Sequence, residues 1–395
     1  MGLLRILQLS NRHLAYGGEE AMVRQMTAAL SEFCSLTPFE TSSESLLRNR
    51  LALPLRVLRN PEVRERLIAL HRTGSFHAWQ AHTLLPGMSA TPYEVAFQAG
   101  VPLLQFLHNY RFSCTNGMFL DHGQPCQRCI HGNFVHAFRA GCWRNSRLAS
   151  GWMGLVLHRL RSMGVLEKIT RWIAPSEAVR TLHVQMGVPG ERIDVVPHFL
   201  VPGPEPIPPM PGTPTALFVG RLSEEKGVLQ LLQAWRLLDR SDARLLIAGD
   251  GPERARLESF ARQASLRNVR FLGFVAAENQ AELWAQAAFC IVPSIVSETF
   301  GLVVLEAWAR ARPVIAHRIG ALPELVVPGT GFLADPADPA DLAAQMSAAF
   351  DSPDQTAAMG RAGHARLLSQ FNKALWQDRM RNVYRRAGLC GGITP

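Results

Sequence analysis

Beyond residue 214 the sequence alternates two kinds of segment. Short apolar runs at 215–219, 244–248, 269–272, 289–292 and 314–316 have the length of buried strands, and helix-like stretches lie between them at 228–238, 253–264, 279–285 and 302–310. Apolar strands alternating with helices predict a parallel sheet wrapped on both faces. The first half repeats this more loosely, with strand candidates at 5–9, 76–81, 103–107, 172–174 and 193–196. Between the halves runs Val201-Pro202-Gly203-Pro204-Glu205-Pro206-Ile207-Pro208-Pro209-Met210-Pro211-Gly212-Thr213-Pro214. So many prolines remove the backbone donors that a helix or central strand needs, and predict a semi-rigid extended connector. The predicted organisation is α/β, with two doubly wound, Rossmann-like parallel-sheet domains facing a cleft. Its parts are a first domain at 1–198, a linker at 199–214, a second domain at 215–370, and a terminal helix and tail at 371–395.

Length and composition are compatible with this plan, since 395 residues at 47% hydrophobic can build two cores. The net charge is +9, and eight of those nine charges fall within residues 1–200. A basic first half can attract nucleic acid, anionic lipid or phosphorylated ligands. No nucleic-acid module and no basic run interleaved with aromatics occurs, so nucleic acid is not an expected partner. The stretch 148–172 mixes Trp152, Met153, Leu155, Val156, Leu157 and Leu160 with Arg159, Arg161, Lys168 and Arg171. It reads either as a basic amphipathic helix on an anionic membrane surface or as a core helix with a solvated face. No apolar run is long enough to span a bilayer, and residues 3–9 look like a strand without a signal-peptide cleavage pattern. The expected location is cytoplasmic, with peripheral placement on the inner face of the plasma membrane if the amphipathic reading holds.

Candidate chemistry gathers at predicted strand ends. Glu306 sits in an apolar helical run, where an unpaired carboxylate is costly unless ligand hydroxyls or other donors meet it. Glu298 precedes Gly301 at the expected start of that helix, where free N–H groups of Phe300, Gly301 and Leu302 can bind hydroxylated or acidic ligand atoms. Together they suggest a polyol site; two ordinary helix carboxylates, one of them capping, are the alternative. Arg221 follows a strand ending at Gly220 and Lys226 opens the next helix, a pair placed to receive a diphosphate or to pair with Glu224 and Glu225. Gly17-Gly18 lies between the first strand and a helix opening at about Glu19, either as a tight turn or as a loop that lets a diphosphate approach the backbone. It is not a G-x-G-x-x-G fingerprint, which disfavours a nicotinamide-type dinucleotide. His108 ends another strand.

These residues, with their order and spacing, resemble glycosyltransferase family four, a family of retaining, nucleotide-sugar-dependent enzymes with the GT-B fold. The resemblance rests on Gly17-Gly18-Glu19-Glu20, His108-Asn109-Tyr110-Arg111, Ala174-Pro175-Ser176, Gly220-Arg221-Leu222 with Lys226-Gly227, Ala248-Gly249-Asp250-Gly251-Pro252, the glutamate pair, and Pro323-Glu324-Leu325-Val326. It implies transfer of a sugar from a nucleoside diphosphate to an acceptor hydroxyl, on a glycan or lipid-linked sugar, with retention at the anomeric carbon. By resemblance, Arg221 and Lys226 neutralise the departing nucleotide, His108 and Glu298 hold the donor sugar, Glu306 accepts from the ribose hydroxyls, and Gly17 and Gly18 face the donor phosphates. The stretch 374–386 resembles the family's terminal helix, which crosses back onto the first domain. No metal or other cofactor is required by this scheme.

Four of the seven cysteines, Cys114, Cys126, Cys129 and Cys142, fall in one stretch with a Cys-Gln-Arg-Cys centre and His122 and His131 nearby. Ligand number and type suit a structural zinc. Reduced thiols and disulfides are the alternatives, and a cytoplasmic compartment disfavours the last. Two positions depart from the family pattern: Ala311-Arg312-Pro313 and Ile319-Gly320-Ala321 each carry Ala where the family usually has Gly. A left-handed cap at Ala311 would cost roughly 1 kcal/mol more than at glycine. Two other functions stay open: a nucleotide-sugar epimerase or phosphorylase of the same fold, and a non-catalytic two-lobed sugar-binding module. The chain's only lysines, Lys168, Lys226 and Lys373, include no identifiable pyridoxal-binding residue, which argues against the phosphorylase.

Overall fold

The computed structural model describes residues 3–12, 18–42 and 58–389. The chain forms two compact units, one made mainly of residues up to Pro197 together with Trp376 onward, the other of His198–Leu375. The first unit holds β1 (Leu4–Arg12), β2 (Cys34–Ser42), β3 (Ala78–Ala81), β4 (Leu103–Phe106), β5 (Arg171–Ala174) and β6 (Ile193–Val195). They form one parallel sheet in the order β2-β1-β3-β4-β5-β6. Every residue of β3 and β4 is buried, because helices cover both faces of a parallel sheet. The chain leaves β1 first to one side and then to the other, so β1 and β3 flank a reversal point of the kind where open sheets bind ligands.

The second unit repeats the plan with β7 (Thr215–Val219), β8 (Arg244–Ala248), β9 (Val269–Gly273), β10 (Phe289–Val292), β11 (Val314–His317) and β12 (Gly331–Ala334). Their order is β9-β8-β7-β10-β11-β12, again all parallel, with the reversal between β7 and β10. Alternation along β7 builds two cores. Phe218 packs with Leu231 and Trp235 on one face, and Leu217 packs with Cys290 and Trp308 on the other. The proline-rich 199–214 segment belongs to this second unit, where Arg312 donates to the Pro209 carbonyl at 2.7 Å and Arg310 pairs with Glu205 at 3.4 Å.

Five of the helices position the site or close a core: α1 (Gly18–Leu30), α2 (Arg147–Ser162), α3 (Val228–Leu238), α4 (Leu302–Ala309) and α5 (Lys373–Arg386). From Trp376 onward α5 is part of the first unit. It buries Trp376, Met380, Val383 and Tyr384, the Tyr384 hydroxyl donates to Gln80 Oε1 at 2.8 Å, and Gln377 donates to the Ala29 carbonyl at 2.8 Å.

Helix α2 packs one face of the 148–172 stretch into the core. Its start is capped by Ser146, and Met153, Val156, Leu157 and Leu160 are buried. Arg159 pairs with Glu94, while Arg161 donates to Ser113 Oγ and to the Met186 carbonyl, each at 2.9 Å. The apolar face and two of the cations are thus engaged within the unit, while Arg147, Leu148, Leu155, His158 and Ser162 stay exposed. Among the described residues no helix is long and apolar enough to cross a membrane.

Candidate functional site

Chemistry in the second unit collects where β7, β10 and β11 end. After β7, Gly220 leads to Arg221, whose guanidinium is exposed and pairs with no carboxylate among the described residues. Its loop is braced by the loop after β8, with Leu222 N–H donating to the Asp250 carbonyl at 2.9 Å. The two backbones touch so closely that a Cβ on Gly249 would lie 1.8 Å from the Gly220 oxygen. A short 3-10 turn, Glu224–Lys226, then ends at Gly227, whose φ of 68° lets the chain enter α3. A Cβ at Gly227 would lie 1.8 Å from the Pro293 carbonyl oxygen, and Ile295 N–H donates to the Glu225 carbonyl at 3.0 Å. The β7 and β10 exits are therefore locked together.

That lock presents Lys226 to Glu298. Lys226 Nζ donates to Glu298 Oε1 at 2.6 Å, and Ser294 Oγ donates to the same oxygen at 2.6 Å. The expectation that Lys226 pairs with Glu224 or Glu225 gives way to this contact. Burial opposes charge on both groups but is outweighed by their mutual attraction, which raises the ammonium and, with Ser294, lowers the carboxyl from their ordinary values. Behind Ser294, His317 Nδ1 meets the Ser294 carbonyl at 3.1 Å, and burial lowers the His317 pKa, leaving a neutral ring that donates. Ser294 and His317 carry no motif of their own. Their only sequence signal is a position at the C-terminal end of a predicted strand.

Gly320, at φ 57°, approaches Glu298 so closely that a Cβ there would lie 2.4 Å from the Glu298 nitrogen, and Ala321 N–H donates to the Glu298 carbonyl at 2.9 Å. The Glu298 loop is thus held from both sides. Phe300 is buried, with its ring against His198 and Phe371, so its side chain anchors the loop and only its backbone is available to a ligand. Gly301 starts α4 at φ 97° with no side-chain cap, which leaves the Leu302 end of the helix open to an outside acceptor.

Glu306 lies on α4, half-buried, with no hydrogen-bond donor among the described residues. Burial raises its pKa above 4.5. The carboxylate lacks the donors that an ionised group in this setting needs, which is the chemistry of an acceptor waiting for hydroxyls.

In the first unit, His108 stands two residues beyond β4. Its Nε2 lies 2.9 Å from Nδ1 of His82, one residue beyond β3, and the rings stack at 5.2 Å. His82 is buried and stacks in turn on Phe106 at 4.7 Å. Both line a cavity of about 20 Å³ with Tyr93, Gln105, Asn109 and Arg111, room for about one water molecule. His82 is absent from the residues that the sequence pattern singles out, although a histidine closing a parallel strand is the available signal. Gly18 opens α1, with Glu19 and Glu20 in its first turn, whereas Gly17 lies outside the described residues.

The four clustered cysteines are all free. The Cys114 thiol is buried in its own turn, beside the backbone N–H groups of residues 116–119. Among the described residues the close group of metal-ligating side chains is Asp121, His136 and Cys142, rather than the four thiols.

Comparison with known proteins finds matches to parts of the chain. Residues 213–352 match the family described as Glycosyl transferases group 1. The glycogen synthase of Mycobacterium tuberculosis is 34% identical over 251 residues, a match covering 62% of this chain and 59% of that protein. This chain spans less than two thirds of the length of the first curated relatives it matches. Among solved structures, the sucrose-phosphate synthase from Thermosynechococcus elongatus superposes with a TM-score of 0.72 at 21% identity, covering 97% of this chain and 98% of that one. HepE of Anabaena, solved in complex with UDP and glucose, gives 0.67 at 18% identity over 97% and 99%. These likenesses reach across both units and show the fold.

Proposed function

We propose that this chain, whose residues 213–352 form a group 1 glycosyl transferase domain, moves a sugar from a nucleoside diphosphate to an acceptor hydroxyl on a glycan or lipid-linked sugar. The observation that carries the reading is the locked pair of loops at the β7 and β10 ends. They hold Lys226 on Glu298, leave Arg221 unpaired, and lead from Glu298 into α4, which carries the donor-starved Glu306. A diphosphate needs cations, and a ribose or sugar needs acceptors that are not already filled. Glu298 offers its second oxygen to sugar hydroxyls, while Lys226 and Arg221 meet the charge that grows on the leaving phosphate. His108 hydrogen bonds to the donor sugar in this reading, a role that rests on the resemblance of its His-Asn-Tyr-Arg segment.

The two glutamates position substrate rather than act as acid and nucleophile. Glu298 is tied to Lys226 and Ser294, which holds it ionised and occupied. The leaving phosphate takes the acceptor proton on the face it departs from, so the anomeric configuration is retained. HepE was solved with UDP, and a nucleotide of that class is the ligand to try first.

Calorimetric titration with UDP, GDP and ADP, repeated on Glu306→Ala with the tightest, tests the donor site. Micromolar binding of one nucleotide, weakened at least about tenfold by the substitution, is expected from loss of a hydrogen bond to a charged group. No binding by any of the three would overturn the reading. Arg221→Ala removes an exposed side chain, so the melting temperature should hold while turnover falls by about 10²–10³. Near-normal turnover would remove Arg221 from the mechanism.

A further inference from the structure

The segment from Cys114 to Cys142 is a long connection between β4 and α2 with little regular structure. Two-residue strands and the six-residue helix Val135–Ala140 are its only elements before Ser146 caps α2, and Phe119, His122, Arg144 and Asn145 all have positive φ. Loops of this length inside a compact domain are uncommon and need something to hold them. Apolar burial supplies part of the hold through Phe119, Leu120, Ile130 and Ala137.

The remainder points to a cation. One ligand atom each from Asp121, His136 and Cys142 lies within 4.8 Å of the other two. His136 Nε2 stands 2.8 Å from Asp121 Oδ2, so the two atoms share a proton where a metal ion could sit between them. His122 Nδ1 holds the other Asp121 oxygen at 2.7 Å. Cys129 stands outside that group of three but near it: its thiol is buried and accepts from the backbone N–H of Ala137, the residue after His136. Oxygen, nitrogen and two sulfurs make a donor set that suits zinc. Its bonds of about 2.0–2.3 Å put neighbouring ligand atoms within about 4 Å of one another, so a close of about 1 Å would bring Asp121, His136 and Cys142 to bonding distance, with Cys129 to follow as the fourth ligand. Arg128 Nη1, at a long 3.4 Å from His136 Nδ1, would have to swing aside.

We propose that this segment binds one zinc ion through Asp121, His136, Cys142 and Cys129, and that the ion braces the loop that follows His108. Cys114 then packs as a buried thiol in its own turn. This inference stands apart from the sugar-transfer reading, since it concerns metal content and stability.

The test uses the full chain purified without chelators. Elemental analysis should find about one zinc per chain after dialysis. Cobalt exchanged into the site should show visible bands of tetrahedral cobalt and a near-ultraviolet charge-transfer band of the strength of two thiolates. His136→Ala and Cys142→Ser should each lose the metal, and a strong chelator should lower the melting temperature of the parent but not of these variants. Cys114→Ser should keep the metal. Absence of zinc from the parent, together with a melting temperature indifferent to added zinc, would overturn the proposal. So would a four-thiolate cobalt spectrum with metal retained in His136→Ala, because the ligands would then be the four cysteines. If a variant fails to fold, the cobalt spectrum of the parent still counts the thiolates and decides between the two sets.

Discussion

Glu306 shows how a single residue can be placed against its own stability. Burial favours its neutral form, so its folded pKa lies above 4.5. Its contribution to stability is therefore full below the unfolded value and is lost as pH rises through the raised folded one. Glu306→Gln should then raise the melting temperature at neutral pH, while weakening nucleotide binding about tenfold or more. Thermal melting and calorimetry on the same sample check both halves; a variant that loses stability would show that the carboxylate has a donor after all. Because ribose hydroxyls need the ionised acceptor, wild-type affinity should fall as pH drops through the raised pKa, and the Gln variant should be flat there. His82 makes a different residue-scale case. Two imidazoles 2.9 Å apart can share a hydrogen bond only if one nitrogen is bare, so His82 ties the tautomer of His108 to its own and holds its tilt. His82→Phe keeps the stacking and deletes that bond. It should lower kcat by about tenfold and move the His108 resonance in its NMR pH titration, with nucleotide affinity unchanged. An unmoved titration would make His82 a packing residue only.

Elements differ in how openly they announce themselves. Strands β7, β8 and β10 fall where apolar runs place them, because burial on both faces forces every residue to be apolar or nearly so. Strands β2 and β12 are silent in the pattern because neither is a continuous apolar run. Each lies at a sheet edge, where β2 tolerates Pro38 and half-exposed residues, and β12 is four residues opening on Gly331. The turns between elements were legible as glycines but not as contacts. Gly227 illustrates this: the dipeptide Lys226-Gly227 is visible in the sequence, whereas the Pro293 oxygen that excludes a Cβ comes from a strand exit more than sixty residues away. Gly227→Ala meets both a positive φ and that oxygen, so it should destabilise the second unit by more than about 2 kcal/mol and displace Lys226 from Glu298. Urea unfolding followed from a second-unit tryptophan such as Trp235 measures it, and an unchanged midpoint would mean that the loop can yield. Ala311 is the mirror case. Its φ of 48° is the left-handed cap expected there, adopted without the glycine that would make it easy.

Over the whole molecule, the chain's last helix completes a unit begun at the other end. Trp376, Met380, Val383 and Tyr384 bury their side chains in the first unit, each worth about 1.5–3 kcal/mol, together comparable to the whole stability of a domain. Ending the chain after Leu375 should therefore unfold the first unit and leave the second folded. Limited proteolysis would show a resistant fragment starting near His198, and resistance across residues 58–197 would contradict it. Tyr384→Phe should cost about 1–3 kcal/mol by stranding the buried Gln80 oxygen. The sequence by itself determined the α/β class, the two parallel sheets and most strand positions, and it singled out Arg221, Lys226, Glu298 and Glu306 as candidates, because periodicity, glycine and costly charges in apolar runs are local signals. Tertiary structure alone decided that Lys226 belongs to Glu298, that His82 backs His108, which face of α2 packs on the core, and that Asp121 and His136 stand beside Cys142. The Lys226 and His82 pairings join residues on different strand exits, and a one-dimensional pattern carries no distance between them until the strands are ordered in their sheets; the Asp121 group lies within one connection, whose irregular backbone has no period to read.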